Sequence, residues 1–259
     1  MPTELNYSLE GPEGAPVIAF SGSLGTDLTF WQPQSGRLRE HFRTLRYEIR
    51  GHGSSDVPPG PYSMSDLGSD LVALLDRLEI ERVLLCGLSI GGMISMWVAA
   101  HAPDRVERVV LCCTSARLGP PEGWHERAAT VRAEGVGAIT DAVLGRWFTP
   151  GFSESEHGKP VVERMRGILA STPREGYAGC CEAIAEMDLR GDLPSITAPT
   201  LVLAGEHDPS TPPEHGRQIA ELIPGARFEV VSPAAHLATI ERPDLTTAMI
   251  LRFLSDEEA

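Results

Sequence analysis

Apolar positions along this 259-residue chain follow two alternating rhythms. Short apolar runs at Ala15–Phe20, Thr44–Ile49, Val83–Leu88, Val106–Leu111, Thr200–Ala204 and Arg227–Val231 read as strands. Between them, apolar residues recur every three or four positions, which predicts helices around Leu28–Phe42 and over Met64–Leu78, Ile90–His101, Pro212–Ile223 and Pro243–Leu254. In Met64–Leu78 the stripe is Leu67, Leu71, Leu74, Leu75 and Leu78, with Ser65 as the expected N-cap. Such alternation implies a mainly parallel sheet covered by helices on both faces.

From Ser115 to about Arg190 the strand rhythm stops. Amphipathic segments take its place at Trp124–Glu134, Val136–Phe148, Pro160–Ser171 and Arg174–Met187. We read residues 115–190 as a helical lobe inserted into an α/β core made of 1–114 and 191–259. There is no internal repeat or low-complexity tract, and Ser255–Ala259 reads as a frayed, solvated end.

The candidate chemistry sits where strand runs end. Val83–Leu88 leads directly into Gly87-Leu88-Ser89-Ile90-Gly91 and then a helix. Gly-x-Ser-x-Gly between strand and helix is a nucleophile-elbow pattern, with the serine hydroxyl at the positive end of the helix. A serine needs a base to take its proton and an acid to hold that base in the right tautomer. Asp208 follows the strand run 200–204 and His236 follows 227–231, so the order Ser89, Asp208, His236 is that of a hydrolase triad. Taken singly, Asp208 also suits an Asx-turn before Pro209, and His236 a packed loop histidine. His207 is a rival base, but it shares a loop with the acid instead of facing it. His52 reads as a loop-ordering residue and His101 as a helix-end residue. Acyl transfer also needs donors for the oxyanion. The Ile90 N–H, next after the nucleophile, is one, and we assign the second to the Leu24 N–H in the loop 20–27.

Composition narrows the partners. A formal charge of −14 argues against nucleic acid, and no apolar run is long enough to span a membrane. Five cysteines, Cys86, Cys112, Cys113, Cys180 and Cys181, fit neither a disulfide framework nor a metal-ligand spacing. With no basic and apolar leader at the start, they point to a reducing cytoplasm. All but one of the 22 basic residues are arginine, a side chain suited to bidentate carboxylate binding. Oligomeric state is not legible.

Several segments resemble the α/β-hydrolase superfamily and, within it, the 3-oxoadipate enol-lactonases. They are Ser23–Asp27, Arg50–Pro58 and Gly87–Met93, then Pro121–Trp124 and Arg146–Pro150 in the lobe, and finally Gly205–Pro209 and Thr211–Gly216. Glu48 stands where such proteins tend to carry Asp, and Gly22 where a polar residue is more usual. The resemblance implies an α/β-hydrolase fold with a helical cap. It also implies ring-opening of an anionic enol-lactone to 3-oxoadipate in aromatic catabolism, without metal or organic cofactor. The substrate carboxylate then calls for a cation. Arg132, with Trp124 and Trp147, is the expected substrate-binding set from the lobe, although Trp147 equally suits core packing with Ile139 and Val143. A carboxylesterase, a carbon–carbon bond hydrolase and a non-catalytic receptor on the same scaffold remain as alternatives.

Overall fold

The computed structural model describes residues 3–255; residues 1, 2 and 256–259, with most of the expected frayed tail, lie outside the described residues. Among the described residues one sheet contains β1 (Tyr7–Glu10), β2 (Val17–Ser21), β3 (Arg43–Tyr47), β4 (Val83–Leu88), β5 (Val106–Cys112), β6 (Thr200–Gly205) and β7 (Arg227–Val231). Its order is β1-β3-β2-β4-β5-β6-β7. Only β1 runs antiparallel to its neighbour, and all other pairs are parallel. Strands with helices on both sides have no wet face, and β4 and β6 are buried at every residue. The edge strand β7 is largely half-exposed, as its mixed Arg227-Phe228-Glu229 start suggests.

The helices are α1 (Gln32–Leu38), α2 (Met64–Arg77), α3 (Ile90–His101), α4 (Pro121–Glu134), α5 (Thr140–Trp147), α6 (Pro150–Glu154), α7 (Gly158–Ser171), α8 (Arg174–Glu186), α9 (Pro213–Leu222), α10 (Ala238–Glu241) and α11 (Pro243–Leu254). α3 and α11 have the ends their patterns predict. The helix expected over Leu28–Phe42 is the shorter α1, because Pro33 lacks an N–H and fits only the first turn. The N-cap of α2 is Ser63, not Ser65. Ser63 has extended backbone, and its hydroxyl accepts the Asp66 N–H (3.1 Å) while Asp66 accepts the Ser63 N–H (2.9 Å). Three residues beyond Ser65 stands Gly68, which cannot return such a bond. β1, α6 and α10 had no periodic signal, being four or five residues each.

Two features of this topology place the site. The strand order reverses between β2 and β4, so their following loops leave in opposite directions and open a crevice at the carboxyl ends. Between β5 and β6 the described chain holds no strand, only α4–α8 and short turns. α4 and α8 lie against each other and are joined by Arg132, whose guanidinium pairs with both Glu175 and Glu182. Glu175 in turn accepts the Gly60 N–H at 2.8 Å, tying this segment to the loop after β3.

Candidate active site

Ser89 lies at the tip of β4 with φ 58° and ψ −121°, a region L-residues rarely occupy. The turn is too tight for side chains on either side. A Cβ on Gly87 would stand 2.1 Å from the Gly91 carbonyl oxygen, and one on Gly91 would stand 2.1 Å from that of Ser21. The strained turn is held by its backbone: the Ser89 N–H donates to Cys112 O (3.0 Å), and Ser89 O accepts the Thr114 hydroxyl (2.7 Å). Ser89 is only 8% exposed, and what it exposes faces a cavity of about 290 Å³.

The loops after β6 and β7 bring Asp208 and His236 together, with Asp208 Oδ2 at 2.8 Å from His236 Nδ1. Every lone pair of Asp208 has work. Oδ1 accepts the N–H groups of Ser210 (2.8 Å) and Thr211 (3.1 Å), and Oδ2 also accepts the Thr211 hydroxyl (2.6 Å). Burial alone would raise the Asp208 pKa, but the His236 charge and these hydrogen bonds outweigh it and hold it below the usual value. A carboxylate fixed there accepts from Nδ1–H and leaves Nε2 as the imidazole's basic atom. His236 lines the same cavity as Ser89.

Ile90 follows Ser89 in the chain, and Leu24 lines the same cavity as Ser89. Ile90 opens α3, where a first-turn N–H has no intrahelical acceptor. Leu24 lines the cavity, while the next two N–H groups of its loop are engaged: Gly25 donates to His52 Nε2 (2.9 Å) and Thr26 to Ser23 O (3.2 Å). The loop is further anchored by Glu48, whose carboxylate accepts the N–H groups of Leu28 (3.2 Å) and Ser54 (2.7 Å). His52 is fully buried. Because Nε2 accepts, its proton is on Nδ1, which donates to Arg50 O at 3.2 Å. Burial pushes its pKa down to about 4, only partly opposed by the Arg50 carbonyl.

His52 therefore couples folding to pH. Unfolded, it binds a proton below about pH 6.5 that the native state refuses until about pH 4. Its contribution is intact above pH 6.5 and falls by about 3 kcal/mol on the way to pH 4. Denaturant titrations of wild type and His52→Gln at pH 7 and pH 4.5 should show a stability difference that shrinks with acid. A constant difference would refute the linkage.

The cavity walls come from the segment between β5 and β6. Trp124 and Trp147 both line it, and Trp147 is at once a wall and a buried side chain. Arg132 is not there. Its guanidinium is spent on Glu175 and Glu182, which lie seven residues apart on one face of α8. The cations that do line the cavity are Arg127 and Arg146. Arg127 stacks on Trp124, its carbon 4.5 Å from the ring centroid. Burial and then the like charge of Arg127 both push the Arg146 pKa down. Neither arginine has a carboxylate partner among the described residues. The buried Tyr177 hydroxyl completes this wall. The sequence reading chose Arg132 over Arg127 and Arg146 among the lobe arginines, and it did not consider Tyr177. The available signal was spacing: Arg127 lies one turn beyond Trp124, and Arg146 adjoins Trp147.

Comparison with known proteins agrees with this fold. Residues 16–243 match the family model described as alpha/beta hydrolase fold. The chain belongs to the α/β-hydrolase family. This α/β-hydrolase is 41% identical to 3-oxoadipate enol-lactonase 2 of Acinetobacter baylyi, over 92% of this chain and 88% of that protein. Its fold superposes on the enol-lactonase of Burkholderia xenovorans with a TM-score of 0.95 and 46% identity, covering 98% of this chain and 97% of that one. A thermophilic esterase of Thermogutta terrifontis, solved with malate bound, has a TM-score of 0.92 and 32% identity, covering 98% and 94% of the two chains.

The other candidate bases in this α/β-hydrolase, His207 and His101, do not line the cavity. His207 is exposed beside Glu206, and His101 stacks on Trp97 with centroids 4.4 Å apart. All five cysteines are buried and unpaired. Among the described residues no group of His, Cys, Asp and Glu could hold a metal, and no helix is long and apolar enough to cross a membrane.

Proposed function

We propose that this α/β-hydrolase opens the ring of 3-oxoadipate enol-lactone to give 3-oxoadipate. The observation that carries the reading is the pair of arginines without acidic partners, Arg127 and Arg146, in the wall of the cavity that Ser89 faces. Two like charges held at one buried wall, in a chain of net charge −14, suit a substrate that brings its own carboxylate.

In this mechanism the Ser89 hydroxyl attacks the lactone carbonyl and passes its proton to His236 Nε2. Asp208 holds the imidazolium through Nδ1–H, and the N–H groups of Ile90 and Leu24 receive the oxyanion. Collapse breaks the ring C–O bond. The leaving oxygen departs as an enol, taking the proton from His236, and stays tethered to the acyl-enzyme. It then tautomerises to the ketone. Water, deprotonated by His236, attacks the acyl carbon, and Ser89 leaves with the proton returned. Each proton taken is given back, so the cycle needs no cofactor. Residues 115–190 act as a cap over the core of 1–114 and 191–259, with Trp124 and Trp147 as its walls. The uncrosslinked cysteines suit a cytoplasmic enzyme of aromatic catabolism.

The test compares the enol-lactone with the same ring carrying a methyl-esterified side chain, and with aryl acetates. Charge-assisted hydrogen bonds to the carboxylate are worth about 10- to 100-fold in kcat/KM. Arg127→Met and Arg146→Met should each lose about that factor, mostly in KM, on the lactone alone. Equal or faster turnover of the neutral ester or aryl acetates would sink the assignment and leave a general carboxylesterase.

A further inference from the structure

His236 sits in a buried loop after β7, and the backbone on both sides of it is fastened. The Leu237 N–H donates to the carbonyl of Trp147 at 2.9 Å, and the Ala235 N–H donates to the Glu241 carboxylate at 3.0 Å. Glu241, at the end of α10, is only 7% exposed. The oxygen that accepts from Ala235 also accepts the Thr149 N–H at 3.3 Å, and its other oxygen accepts the Thr149 hydroxyl. No arginine or lysine pairs with it among the described residues, and the neighbouring Arg242 donates instead to Ser232 O at 3.0 Å. Burying a carboxylate without a cation is costly, and here three donors from two distant loops offset that cost. Thr149 lies two residues past Trp147, which walls the cavity.

We infer that Glu241 is a positioning residue for His236, clamping the loop that carries the base to the cavity wall at Trp147–Thr149. The proposal rests on the reading of His236 as the general base. It acts through geometry, because the clamp needs acceptors in place and not a negative charge. A glutamine fits the same donors. Its carbonyl oxygen accepts both N–H groups, and its NH2 faces the Thr149 hydroxyl, which can turn to accept. An alanine leaves all three donors unpaired.

Steady-state turnover of the lactone is measured alongside the rate of labelling by a fluorophosphonate, which needs the serine and its base but not the arginines. Glu241→Ala should lower kcat and the labelling rate together, by about ten- to a hundredfold, with KM within about threefold. Glu241→Gln should restore both to within about threefold of wild type. Thr149→Val removes the hydroxyl but keeps the N–H groups of both Thr149 and Ala235 on the carboxylate, so the clamp holds and turnover should stay within about threefold while thermal stability falls. If Glu241→Ala does not fold, Glu241→Asp, too short to span both loops, should show the same split. An alanine variant within twofold of wild type overturns the proposal. So does a glutamine variant as slow as alanine, which would make the charge the agent. Thr149→Val as slow as Glu241→Ala also overturns it, because the Thr149 hydroxyl, which also caps the Phe152 N–H, and not the carboxylate's hold on both loops, would then set the geometry. A wild type that labels but leaves the lactone intact overturns the substrate reading only, and the labelling ratios still decide on Glu241. A wild type that does not label overturns both.

Discussion

Ser89→Ala lowers kcat on the enol-lactone by about four to six orders of magnitude, the loss expected when the nucleophile of a cooperating triad is removed. The fold should be untouched. What holds the elbow is backbone and neighbouring side chains: the Ser89 N–H to Cys112 O, the Thr114 hydroxyl to Ser89 O, and glycines at 87 and 91. Alanine inherits the same φ of 58° at much the same strain, so Tm should move by no more than a degree or two. Binding should survive too, since the arginine wall is unchanged, and calorimetry with 3-oxoadipate should return the wild-type Kd within a few-fold. Fluorophosphonate labelling should vanish. Retention of more than about one per cent of wild-type turnover would show that another group does the chemistry.

Asp208→Asn is the second large effect, and its size follows from the hydrogen bonds. Two N–H groups, of Ser210 and Thr211, converge on Oδ1. An asparagine must place its carbonyl oxygen there, so its NH2 takes the position of Oδ2 and points at His236 Nδ1. The Thr211 hydroxyl can rotate to accept, but the imidazole must accept as well, and its proton moves to Nε2. That tautomer cannot take a proton from Ser89. We expect kcat to fall by about 10⁴, with KM nearly unchanged. Asp208→Ala offers no donor, and should be no slower than Asp208→Asn despite removing more atoms. An asparagine variant retaining a tenth of wild-type kcat would mean that Asp208 does not set the tautomer. Acid should tell the same story in stability. The Asp208 pKa is held below its usual value, so its contribution is present above that usual value and is lost only as pH falls through the lowered one.

How far the sequence could be read varies by element. The helices Ile90–His101 and Pro243–Leu254 were legible to the residue, because long periodic apolar patterns are local properties. The cap of α2 was off by two positions. Ser63 and Ser65 both precede the stripe, and only the reciprocal bond with Asp66 chooses between them. β1 pairs antiparallel to β3, but four residues with one buried-side leucine carry no period to detect. At the site, strand ends pointed to Ser89, Asp208 and His236, since parallel sheets gather such loops at one edge.

By itself the sequence determined the strand-turn-helix around Ser89, the α/β alternation and the run of helices between β5 and β6, all written in residues adjacent along the chain. The tertiary structure decided which arginines face the cavity. Arg132 and Arg127 lie on one helix and share composition and charge. They differ in that the packing of α4 on α8 brings Glu175 and Glu182 to the first and leaves the second stacked on Trp124 without an acid. Ion pairing across 40 or 50 residues depends on how helices meet, and no local pattern records that. The same holds for Glu241, whose partners at Thr149 and Ala235 are joined only by the fold.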